Sequence, residues 1–228
     1  LISVCGNVTP ERARKVVERT FGDWKAQPLP ERKRLVPERL SHSGVAVEEG
    51  MTTIAHVLIG FPGPPAANKE EFAAFQVLNS ILSRGMSGRL IESLRNELGL
   101  AYDISCFHSA LEQASHLVIH VQCELSQIDA VKKAVVEQIN RLMQEEVGEE
   151  ELEIAKRYLL GQYLVSLQRG RQQAHNLAWY EILGLGAGFQ TEYPALIKTV
   201  TAPDLQRISQ KYLQKMVISL RLPEETPI

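Results

Sequence analysis

Residues 94–105 read LRNELGLAYDIS. Leu94 and Leu98 continue a helical apolar repeat, Gly99 is a helix stop, and LAYDIS has the composition of a strand. The stretch predicts a helix that ends at Gly99 and a strand that begins at once. It also puts two large polar side chains at one junction, Arg95 in the last helical turn and Tyr102 seven residues on. Each has a plain role available: arginine complements the helix dipole, and tyrosine suits a strand. The functional alternative is that a guanidinium and a phenol hydroxyl converge on developing negative charge. Preorganised donors of that kind contribute ~3–4 kcal/mol each.

Working outward, the helix spans about 87–98, with Ser87 as its N-cap and Leu90, Ile91, Leu94 and Leu98 on the buried face. Before it, Asn68 and Glu71 form a capping-box-like start for a helix with Phe72, Phe75, Leu78, Ile81 and Leu82 at helical spacing. Two strands precede that helix, VAVEE (45–49) and TTIAHVLIGF (52–61), the second apolar on both faces as a central strand should be. After the opening stretch, LAYDISCFH (100–108) and HLVIHVQ (116–122) predict a hairpin. With the turn near Glu112–Gln113, paired residue numbers sum to about 225, so Cys106 faces Ile119 and not Cys123. Helices are expected around Ile128–Leu142 and over most of 149–198, broken at Gly170 and in GLGAGF (184–189). Thr201 with Asp204 caps one more, and MVISLRL (216–222) is a closing strand.

The first residues, LISVCGN, read as a strand, followed by a helix with Thr9 as N-cap, Pro10 at N1 and Gly22 as its stop. Residues 25–44 carry Pro28, Pro30 and Pro37 among charges, the composition of a linker. The expected organisation is a strand–helix remnant of a preceding domain at 1–24, a linker at 25–44 and one domain at 45–228. A chain that opens inside a strand, without Met, reads as a fragment whose targeting sequence would lie upstream.

Composition narrows the chemistry. A formal net charge of -2 leaves no electrostatic footprint for nucleic acid, and no apolar run nears the ~18–20 residues of a membrane span. The three cysteines, Cys5, Cys106 and Cys123, read as buried free thiols. His116 and His120 would share one face of a helix, but HLVIHV is strand-like. Residues four apart in a strand lie ~13 Å from each other, too far for one zinc ion. They read as surface histidines. Neither H-x-x-E-H nor H-E-x-x-H occurs, so the chain is expected to carry no catalytic zinc site. G-x-S-x-G is absent as well, and the acidic run 145–153 reads as a solvated loop and helix start, with Glu149 to Glu151 at the positive end of the helix dipole.

GMSGRLIESLRNELGLAYDIS (85–105) resembles the signature of the second domain of the pitrilysin–insulinase zinc peptidases, roughly SRLxxxLRexxGLaYxvxS. IGFPGP (59–64), VLNSILSRGMSGRL (77–90), GEEELEIAKRYLLGQY (148–163) and VTAPDLQRISQKYL (200–213) resemble neighbouring segments of that domain. SVCGNVTPERARKVVERTFGDW (3–24) resembles the end of the family's first domain. The resemblance implies an α+β fold: two layers, a mainly antiparallel sheet backed by helices, the metallohydrolase-like α/β sandwich. It implies a zinc metallopeptidase that hydrolyses peptides in a closed two-domain chamber. There the first domain carries zinc, which polarises the scissile carbonyl and activates water. The second domain contributes an Arg and a Tyr seven residues apart, which fall on Arg95 and Tyr102. Zinc is then expected from an N-terminal domain of the same polypeptide or from a partner subunit, in a homo- or heterodimer, and this chain alone is expected to be inactive. The alternative is a non-catalytic subunit or structural homologue of the same family. The compartment is left open between the bacterial periplasm and the cytoplasm, for a soluble protein.

Overall fold

The computed structural model describes residues 1–25, 27–28 and 40–224. The proline-rich part of the expected linker, 29–39, lies outside the described residues, and so do residues 225–228. Strands β1 (Gly44–Gly50), β2 (Ala55–Gly63), β3 (Asp103–Ala110), β4 (Ser115–Cys123) and β5 (Val217–Pro223) form one sheet in the order β1-β5-β2-β4-β3. The β1–β5 pair is parallel and the other three are antiparallel. The mainly antiparallel α+β architecture expected from the sequence is therefore present, with the apolar β2 at its centre.

The core follows from strand alternation. Val57, Ile59 and Phe61 of β2 and Leu117, Ile119 and Val121 of β4 are buried, while the residues between them are half-buried. Helix α2 (Lys69–Ser83) packs on that layer through Phe75, Leu78, Ile81 and Leu82, each wholly inside. Every such side chain contributes ~1.5–3 kcal/mol through removal from water. Helices α3 (Ile128–Gln144), α4 (Glu149–Ser166), α5 (Gly170–Ile182), α6 (Phe189–Thr199) and α7 (Ala202–Tyr212) complete the helical layer.

Local chemistry explains the helix starts. Thr201 and Asp204 form a reciprocal capping box on α7. On α2 only half of the expected box forms. Asn68 accepts from the Glu71 backbone N–H at 3.2 Å, but the Glu71 side chain turns away. It accepts from Lys211 at 2.7 and 2.9 Å and from the Tyr212 hydroxyl at 2.6 Å, and so ties α7 to α2. A buried carboxylate needs charged partners more than a second cap bond.

The hairpin register agrees with expectation: Cys106 pairs with Ile119. All three cysteines are free, with Cys123 buried and Cys5 and Cys106 half-buried. Residues 1–5, expected as a strand, pair with no strand among the described residues, and α1 (Pro10–Phe21) has no buried residue. Among the described residues, no helix is long and apolar enough to cross a membrane.

Candidate functional site

The junction around Arg95 is built by the chain leaving α2. After Ser83 the backbone turns through Gly85 (φ +45°) and passes so close to itself at Gly88 that a Cβ there would lie 2.6 Å from the Leu82 carbonyl oxygen and 2.8 Å from the Arg84 nitrogen. Only glycine fits at that crossing. Arg89 follows immediately. Its Nε and Nη2 donate to the two carboxylate oxygens of Glu151 at 2.9 and 2.6 Å, and both side chains are largely buried. Glu151 therefore does more than complement the α4 dipole; it clamps the turn to the first turn of α4. Burial opposes its ionisation. The Arg89 fork, aided by Arg84 and Arg141, outweighs that and holds the carboxyl below its usual range.

Downstream of Arg89 the helix differs from expectation in its winding. Ile91–Glu97 is π-helical, and no side chain caps it. Its wider turn bonds each N–H five residues back, as in the 3.1 Å bond from Leu98 N–H to the Ser93 carbonyl. Ile91, Ser93 and Leu94 face the core, which leaves Arg95 on the outside. The end is a left-handed cap: Gly99 has φ +61°, and the Leu100 N–H donates to the Leu94 carbonyl at 2.8 Å.

That cap turns the chain into β3. Tyr102 N–H donates to the Gln122 carbonyl at 3.3 Å, which starts the pairing, and the Tyr102 side chain is 83% exposed. The guanidinium carbon of Arg95 lies 5.7 Å from the centre of the Tyr102 ring. The two candidate residues are thus brought together. Neither makes a side-chain hydrogen bond to another described residue, so the guanidinium donors and the phenol hydroxyl face outward unused. Chemically this is a pair of donors, one of them permanently cationic, suited to a carbonyl or carboxylate oxygen.

The histidines do not assemble into a metal centre. Among the described residues, no three His, Cys, Asp or Glu side chains come together in a way that could hold a metal ion. The donor set of the described residues therefore does not fit a catalytic zinc. His116 is exposed on β4, but His120 is half-buried and not the surface histidine expected. Its Nε2 lies 3.0 Å from His56 Nδ1 on neighbouring β2, and the two rings stack at 5.3 Å. Burial and His56 lower its pKa against the opposing pull of Asp103. Cross-strand pairs of this kind leave no mark in linear spacing.

The sequence profile described as "Peptidase M16 inactive domain" matches residues 1–159. The uncharacterized zinc protease YmxG of Bacillus subtilis is 26% identical over 209 residues, which is 92% of this chain and 49% of that protein. An uncharacterized zinc protease of Rickettsia felis is 28% identical over 170 residues, covering 74% of this chain and 40% of the relative. This chain therefore spans half or less of the length of the curated relatives it matches. In fold it is similar to a protease from Helicobacter pylori, with a TM-score of 0.83 and 20% identity over 96% of this chain and 54% of that one. It is also similar to a peptidase M16 inactive domain from Pseudomonas fluorescens, with a TM-score of 0.80 and 18% identity over 98% of this chain and 53% of the other.

Proposed function

This chain belongs to the M16 peptidase family, the pitrilysin–insulinase zinc peptidases, and from that premise we propose that it is the substrate-clamping domain of a zinc metallopeptidase. The observation that carries the proposal is the meeting of Arg95 and Tyr102 at a helix–strand junction with their polar ends unpartnered among the described residues. When a peptide is enclosed, Arg95 donates to the scissile carbonyl oxygen or an adjacent backbone carbonyl, and the Tyr102 hydroxyl donates from beside it. Both donors are preorganised by backbone, so little reorientation is left for the moment of reaction. Zinc belongs to another part of the assembly, an N-terminal domain of the same polypeptide or a partner subunit.

The division of the chain supports the same reading. Helix α1 presents Val16 and Phe21 at its surface, and Trp24, stacked on Phe21 at 5.9 Å, is 79% exposed. An apolar helix face without a core suits residues 1–24 as the end of a preceding domain. Residues 25–44 then link it to the domain at 45–228.

The test is reconstitution. The isolated chain should hydrolyse no peptide and hold no tight zinc, and hydrolysis should appear when the zinc-bearing domain is joined in cis or added as a subunit. One tight zinc per isolated chain, with peptide cleavage, would overturn the proposal. The lack of a metal-competent cluster among the described residues and the description of the matched domain as inactive favour one second reading, a structural subunit with no part in turnover. That reading predicts hydrolysis by the assembly that is indifferent to Arg95 and Tyr102.

A further inference from the structure

A cavity of about 710 Å³ opens on the helical side of the sheet, bounded by α2, the β3–β4 turn, α4 and α5. It is separate from the candidate site. Tyr102 precedes the first residue of β3, whereas the cavity is lined by Ser109, Ala110 and Leu111 at the other end. Tyr102 and His108, the nearest lining residue of that strand, are six residues apart, ~20 Å at ~3.3 Å per residue. The volume lies within the usual range for small-ligand sites, ~300–1,000 Å³.

The lining is selective in kind. Aromatic rings from Phe72, Tyr163, Trp179, Tyr180 and Tyr193 form much of the wall, and among the described residues no Lys, Arg, Asp or Glu contributes to it. Its enclosed titratable groups, three phenols and His108, are held neutral, while His116 lies exposed at the edge. Burial pushes the phenols of Tyr163, Tyr180 and Tyr193 upward. Burial, with the neighbouring His116, pushes His108 down to about 4. His108 packs against Phe72 and Phe75, and both its ring nitrogens are buried without a partner among the described residues. The amides of Gln76 and Gln162 also line the space and make no hydrogen bond to another described residue. The α5 wall is sparingly packed. That helix has no buried residue, and Trp179 is 38% exposed at the mouth beside Leu111.

From this lining we infer a binding site for an uncharged aromatic group that carries a hydrogen-bonding amide or hydroxyl edge. Rings in the wall offer edge-to-face and offset contacts to a ring. The free Gln76 and Gln162 carboxamides can both donate and accept at its polar edge. A charged ligand would lose its hydration with no Lys, Arg, Asp or Glu among the described lining residues to replace it. The same chemistry occurs in a free small molecule and in the Phe or Tyr side chain of a peptide. The inference does not depend on the peptidase reading.

The test uses the 228-residue chain with Trp24→Phe, which leaves Trp179 as the single tryptophan. N-acetylphenylalanine amide should shift Trp179 emission and saturate on the order of 0.1–1 mM, in line with its few heavy atoms. Phenylacetate and phenethylamine should bind at least tenfold more weakly. Gln76→Phe and, at an exposed position that tolerates substitution, Gln162→Phe should each fill the space and weaken the amide at least tenfold while the thermal midpoint holds. A capped pentapeptide with a central Phe distinguishes the sources. Binding as tight as that of the amide assigns the site to peptide side chains, and binding of the amide alone assigns it to free small molecules. Absence of saturation by both probes, equal binding of the charged analogues, or unchanged affinity in Gln162→Phe would overturn the inference.

Discussion

Arg95 and Tyr102 meet with the guanidinium carbon 5.7 Å from the ring centre, although one lies in a π-helical turn and the other at the mouth of a strand. A cation–π contact at so exposed a site contributes only ~0.5–1 kcal/mol. That is too little to hold two long side chains in place by itself. The placement comes from the backbone around them, above all from Gly88 and Gly99, and from the Arg89–Glu151 fork.

Gly88→Ala should therefore be more damaging than Gly99→Ala. The added methyl at Gly88 meets backbone atoms that cannot give way without moving the turn, an overpacking cost of ~1–3 kcal/mol. At Gly99 the space is open, and the cost is that of a left-handed residue, ~1–2 kcal/mol. Urea denaturation midpoints of the two variants check the order. Equal, unshifted midpoints would show that neither crossing constrains the chain.

Loss of one partner of the Arg89–Glu151 fork should destabilise by ~2–4 kcal/mol, because the other charge is left buried. Glu151→Gln and Arg89→Met are both expected to show this, and the combination Arg89→Met with Glu151→Leu should recover much of the loss. In an assembled enzyme the single variants should also lower kcat, since the fork anchors the turn that leads into Arg95. A double variant no more stable than the singles would place the cost elsewhere.

Stability should fall on acidification in two stages. His108 has a folded pKa near 4 against 6.5 when unfolded. Between those values the unfolded chain binds the extra proton, so stability declines as pH drops from 6.5 to 4, by about 2–3 kcal/mol in all. Below that, Glu71, Glu151 and Asp204 take over. Their folded pKa values lie under the usual 4.5, 4.5 and 3.8. Burial opposes the shift at Glu71 and Glu151, where the cationic partners win, and the Thr201 hydroxyl leads the lowering at Asp204. What these carboxylates contribute is complete above their unfolded values and disappears as pH falls through the folded ones. His108→Leu should make the first stage shallower, leaving the part that the lowered His120 contributes, and should leave the second unchanged. A His108→Leu profile parallel to the parent between pH 6.5 and 4 would contradict the assignment.

Much of the architecture was legible because it is written in local alternation. HLVIHVQ alternates strictly, so the hairpin register and the pairing of Cys106 with Ile119 followed from a turn position alone. The α7 capping box needed only Thr201 and Asp204. Other features depend on partners distant in sequence. The LISVCGN segment has strand composition but no strand beside it among the described residues. The π winding of Ile91–Glu97 spans too few residues for a periodicity to separate it from an α-helix. At the site, the Arg95 and Tyr102 positions were readable from a motif. The Glu151 clamp and the His56–His120 pair join residues more than 60 positions apart, and no spacing announces them.

The central claim is that Arg95 and Tyr102 act on the substrate of an enzyme whose zinc lies elsewhere in the assembly. Its most direct test is the steady-state hydrolysis of one peptide by the assembled enzyme carrying Arg95→Ala or Tyr102→Phe. Tyr102→Phe is informative because it keeps the ring under the guanidinium and removes only the hydroxyl. The account predicts that kcat falls ~100-fold for each, more than KM rises, as expected when a donor acts chiefly in the transition state. An unchanged kcat in both variants would contradict it and return the two residues to structural roles.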